Sequence, residues 1–163
     1  MNVLSFDAST RLAELHRFEK RAHPDSGRSW MAPGAETQDL LYISDEGTND
    51  VYVYSWPQLK LVGTLTGFSY PQGECVDTKG DVFVVNGRAQ SQVVEFLHGG
   101  TKPIATLSDN YSNHPSGCAV DPTTENLAVT NLETGNKGDG NVIIYKKARG
   151  ELVSICGGIP RAA

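Results

Sequence analysis

The sequence predicts an all-β chain of about three four-stranded β-propeller blades, half of a six-bladed ring. Two observations carry this reading. A motif of Pro-x-Gly, a short apolar stretch, Asp, a turn and a second apolar stretch ending in Asn occurs twice, 44 residues apart. Each copy then runs on through two more short apolar stretches bounded by turn residues. Four strands per unit, at a period in the forties, is the signature of a propeller blade. Composition agrees, since 17 Gly and 8 Pro among 163 residues suit a turn-rich sheet protein.

Residues 1–27 precede the repeat. Ser9 or Thr10 can cap a short helix carrying Leu12, Leu15, His16 and Phe18, which HPDSGR then breaks; a frayed leader is the alternative. Residues 28–156 form the three-blade unit. Its first copy is degenerate: SWMAPGAETQDLLYISD (29–45), with the second strand at Leu40–Asp45, then EGTND, VYVYSW and LVGTLTG. The second copy is YPQGECVDTKGDVFVVN (70–86), followed by GRAQS, QVVEFLH and PIATLSD. The third is HPSGCAVDPTTENLAVTN (114–131), followed by LETGNKGDG, NVIIYK and ELVSIC. Residues 157–163 read as a tail.

Pro71 matches Pro115, Gly73 matches Gly117 and Asp77 matches Asp121. The glycines are expected to turn the backbone sharply into the innermost strand. The aspartates are expected to accept backbone N–H groups in the following turn, a structural role. A blade cannot bury both faces alone, so neighbours must stack. Three blades cannot ring a channel, because propellers close with about four to eight. The two open faces predict a homodimer that completes a six-bladed ring; the other reading is a piece of a longer propeller.

A net charge of −5 argues against a nucleic-acid partner. No apolar run reaches the roughly 20 residues needed to cross a bilayer. The first residues lack the apolar core of a signal peptide, so the chain is expected to be cytoplasmic. Cys75, Cys118 and Cys156 give no metal-binding pair and are read as small reduced side chains. Cys75 and Cys118 hold repeat positions that differ by one place, on strands expected to be neighbours, where a bridge is feasible but not predicted.

The pattern Pro-x-Gly-x-x-x-Asp, turn, paired apolar residues, turn, then Val-x-Val-[Tyr/Phe] resembles the NHL-type six-bladed propellers. It is similar, more distantly, to the gluconolactonase and regucalcin family and to paraoxonase-like lactonases. The resemblance implies a divalent cation, usually calcium, at the channel mouth, and hydrolysis of a small lactone or ester. In the gluconolactonase group one ligand is the Asn of a Pro-Asn-Gly. Here Pro71-Gln72-Gly73 and Pro115-Ser116-Gly117 stand instead, so that ligand does not carry over.

Residues entering the innermost strands are expected to line the channel: Gln72, Glu74, His114 and Ser116. Glu74 sits in an apolar strand, where a carboxylate needs a cation or donors; with Gln72 it forms the candidate calcium set, and a structural ion pair is the alternative. His114 is a candidate general base or a turn histidine. Asn86 and Asn131 end equivalent strands and are candidate substrate ligands or turn initiators. NKGDGN (136–141) lacks the spacing of a calcium loop, and a nucleophile elbow and phosphate-binding loops are missing. The function expected is therefore a calcium-dependent hydrolase of a small lactone or ester, using Glu74 and His114; the alternative is a non-catalytic NHL-like scaffold for a protein or carbohydrate partner.

Overall fold

The computed structural model describes residues 27–87, 91–108, 113–134, 140–149 and 151–156. The expected N-terminal helix and C-terminal tail lie outside these residues, as does most of NKGDGN. The described chain is all β: three antiparallel four-stranded sheets in sequence order. The second sheet runs β5 (Pro71–Val76), β6 (Val82–Asn86), β7 (Gln92–Phe96) and β8 (Pro103–Ser108) from its inner edge outward. The third repeats that order with β9 (Asn113–Val120), β10 (Leu127–Thr134), β11 (Asn141–Lys146) and β12 (Glu151–Cys156).

The first sheet departs from the repeat. It contains β1 (Trp30–Met31), β2 (Leu40–Asp45), β3 (Asp50–Ser55) and β4 (Lys60–Leu65), in the order β1-β4-β3-β2. Register shows that β2 is the equivalent of β6 and β10. Asp45 pairs with Asp50 as Asn86 pairs with Gln92 and Asn131 with Asn141. The inner edge that β5 and β9 cover in the other sheets has no strand paired to it in the first sheet, among the described residues. Residues 29–38 instead send β1 to the outer edge. Gly63 on β4 makes room for this: a Cβ placed there would stand 3.0 Å from the Trp30 carbonyl and run into the Met31 side chain. Gly34 then turns at φ 80°, and a 3-10 turn at Ala35–Thr37 drops Ala35 into the core.

Strand alternation gives each sheet two apolar faces, and stacking buries the inner ones. Val51, Val53, Val62 and Leu65 of the first sheet pack against Val82, Val84, Val94 and Phe96 of the second. The opposite face of the second sheet, with Phe83, Val85, Val93 and Leu107, packs against Leu127, Val129, Ile143 and Tyr145 of the third. The turn aspartates act as expected. Asp77 Oδ1 accepts the amides of Lys79 at 2.8 Å and Asp81 at 3.0 Å. Asp121 accepts the Thr123 amide at 2.9 Å and the Thr124 hydroxyl at 2.6 Å, and these bonds hold its carboxyl below the ordinary aspartate value.

Two expectations are corrected here. Gly73 and Gly117 do not turn the chain at positive φ; they lie within β5 and β9. Their role is close approach. A Cβ on Gly73 would stand 2.9 Å from the Ser116 carbonyl oxygen and 3.2 Å from Gly117 Cα. That proximity brings Cys75 and Cys118 to a Cα separation of 5.6 Å, and they are joined by a disulfide rather than reduced, a separation well inside the usual range of about 4.4–6.8 Å. The bond ties the second sheet to the third at their inner strands.

Candidate functional site

A cleft of about 260 Å³ opens where the innermost strands β5 and β9 begin. It is lined by Glu46, Tyr70, Gln72, Gly87, His114, Pro115 and Leu132, so all three sheets contribute. The lining follows the repeat. Tyr70 and His114 each precede the proline of their copy, and Glu46, Gly87 and Leu132 each follow the end of a second strand, after Asp45, Asn86 and Asn131. Gly87 is required by crowding, because a Cβ there would lie 2.9 Å from the Tyr70 carbonyl. The Gln72 amide donates to Glu46 Oε2 at 2.8 Å, fixing a polar wall. Leu132, 65% exposed, supplies an apolar wall.

Of the sequence-predicted residues, Gln72 and His114 meet in this cleft, and the other four are not among its lining. Glu74, two residues beyond Gln72, bonds Ser44 on β2, whose hydroxyl sits within hydrogen-bonding reach of both Glu74 Oε1 and the Gln72 carbonyl. Burial pushes the Glu74 carboxyl up from the ordinary value, and the Ser44 hydrogen bonds pull it partly back. Ser116 bonds Thr130 through its hydroxyl on β10. Asn86 is 1% exposed and accepts the Ser69 amide at 2.7 Å. Asn131 is also buried and donates to Asn141 Oδ1 at 2.7 Å.

Sequence reasoning missed Glu46, Tyr70 and Leu132. Their signal was available as repeat position: each stands one place outside a motif residue that was noticed. Gln72 and Glu74, the candidate calcium set, both have protein partners. Calcium takes about six to eight oxygens. Gln72 is engaged by Glu46 and Glu74 by Ser44, and no group of three or more His, Cys, Asp or Glu able to hold a metal ion occurs among the described residues. No described helix is long and apolar enough to cross a membrane.

No protein-family model and no curated protein matches the chain. Among solved structures, the chain is similar to the β-propeller domain of Cps50 (Swd1) from Myceliophteria thermophila, with 12% identity and a TM-score of 0.53. The match covers 81% of this chain and 39% of that one, so the chain spans well under half of the domain it resembles. Three stacked four-stranded sheets and this neighbour together show a partial β-propeller.

Proposed function

We propose that the chain is a non-catalytic propeller scaffold whose inner cleft holds a segment of a protein partner. The observation that carries this reading is the cleft lining. It mixes a fixed polar wall, Glu46 with Gln72, with aromatic and apolar surface from Tyr70, Pro115 and Leu132. Binding sites combine such surface with a few oriented polar groups. The likeness of the Pro71-x-Gly73 and Pro115-x-Gly117 copies to NHL-type propellers supports the same reading, since those commonly serve as binding platforms. A lactonase draws less support. Among the described residues that line the cleft, His114 has no Ser, Thr, Cys or Lys in its company, and Glu74 bonds Ser44.

An immobilised peptide library provides the test. Wild type is expected to retain a peptide class that a Glu46→Ala, Leu132→Asp double variant binds at least about tenfold more weakly, a loss of about 1.4 kcal/mol. Binding to a glycan array instead would replace protein by carbohydrate as partner. Lactone hydrolysis that needs calcium and disappears in Glu74→Ala would overturn the scaffold reading. On compartment, the Cys75–Cys118 bond carries the most weight. Disulfides persist in oxidising surroundings and are rare in the cytosol, which supports an extracytoplasmic location over the cytoplasmic one expected from sequence. Complete alkylation of both thiols in freshly lysed native cells would remove that support.

A further inference from the structure

The charge of the inner cleft is one-sided. Glu46 is exposed and brings a carboxylate, and among the described residues no Lys or Arg lines the cleft to offset it. Glu46 Oε2 accepts the Gln72 amide at 2.8 Å, which holds the carboxylate in place without neutralising it. Basic side chains stand elsewhere. Lys79, Lys147 and Arg149 line a second cleft of about 250 Å³, past the far ends of β5 and β9, where Asp77, Glu95 and Glu125 share the lining and balance them.

Tyr70 adds a second element to the inner cleft. Its backbone stands at φ 70°, a region that a bulky residue rarely occupies. Two hydrogen bonds hold it there: its amide donates to Asn49 Oδ1 at 2.8 Å, and its carbonyl accepts the Gly87 amide at 2.9 Å. Strain that the surroundings sustain in this way gathers at ligand sites, and here it sets a tyrosine in the same lining as Glu46. Pro115 and Leu132, the latter 65% exposed, supply apolar surface. A carboxylate, an aromatic ring and apolar walls together attract a cation carried on an apolar stem. At about 260 Å³ the cleft is smaller than the roughly 300–1,000 Å³ of sites for drug-sized ligands, which suits one long side chain. Resting on the reading of this cleft as a peptide site, we infer that the bound segment presents a lysine or arginine, its ammonium or guanidinium on Glu46 and its methylene stem against Pro115 and Leu132.

Immobilised random pentapeptides, with the central residue fixed as lysine, arginine, norleucine or glutamate, provide the test. Wild type is expected to bind the lysine and arginine sets at least about tenfold more tightly than the norleucine set, a difference of about 1.4 kcal/mol. That excess should shrink as salt rises. Glu46→Gln keeps an oxygen for the Gln72 amide but loses the charge, and should abolish the preference with circular dichroism unchanged. Glu125→Gln, in the other cleft, lowers the overall charge equally and should leave the preference intact. A preference that survives in Glu46→Gln would overturn the inference. So would one lost equally in both variants, since overall charge would then account for it. Equal retention on all the sets would overturn the inference while leaving the peptide site standing, whereas retention on none would remove the peptide site and this inference with it.

Discussion

Ser44 Oγ on β2 bonds the carboxylate of Glu74 on β5, joining the first sheet to the second at the inner end of the stack. Neither side chain reaches the cleft lining. The most conspicuous carboxylate of the sequence is thus an inter-sheet fastening, and its energetics set the first prediction.

Burial raises the Glu74 carboxyl above its ordinary value of 4.5. A group raised in the folded state gains protons on folding, so its contribution is fully present below the ordinary value and is lost as pH climbs through the raised one. Glu74→Gln is expected to be more stable than wild type at pH 8 and to lose that advantage at pH 4. Ser44→Ala should cost about 1 kcal/mol and raise the carboxyl further. Urea unfolding at the two pH values measures both.

Gly73→Ala should destabilise by about 1–3 kcal/mol, the range for overpacking a tight site, since the added methyl meets backbone of Ser116 and Gly117 rather than a movable side chain. Gly34 makes the contrast. Nothing lies within 4 Å of its would-be Cβ, and only its φ of 80° resists substitution. A thermal melt of both alanine variants should show the larger loss at Gly73, because a backbone clash cannot relax as a turn can.

Cys118→Ser should remove about 2–4 kcal/mol, the usual worth of a disulfide closing a loop of this length. The bridged residues are 43 apart. Reductant should lower the wild-type unfolding midpoint to that of the variant and leave the variant unmoved.

Asn86→Ala should cost about 1–3 kcal/mol, because it strands the Ser69 amide that Asn86 Oδ1 accepts in a part-buried setting. Retention of peptide binding in that variant, after correction for folded fraction, would mark Asn86 as a structural residue rather than a ligand.

Much of the fold was legible because strand alternation and turn chemistry are local. Asp77 and Asp121 cap their turns as their position beside Gly, Pro and Thr implied. The second and third units were readable to the strand. The first unit was not, because its inner strand is decided by a non-local fact, the room that Gly63 leaves for Met31. The Cys75–Cys118 bond was half visible: the repeat put the two residues one register place apart in their copies, but only the approach of β5 and β9 joined them. The site was least legible. Gln72 and His114 were found from strand entries, whereas Glu46 and Leu132 lie just past strand ends, where a side chain's direction depends on how neighbouring sheets are stacked.

The inner edge of β2, to which no strand is paired among the described residues, has a consequence for what can be laid against it. Backbone of Leu40–Asp45 on that side has no strand partner among the described residues. An edge of that form suits an extended polypeptide, which can add hydrogen bonds to a strand whose outward amides and carbonyls are not already used.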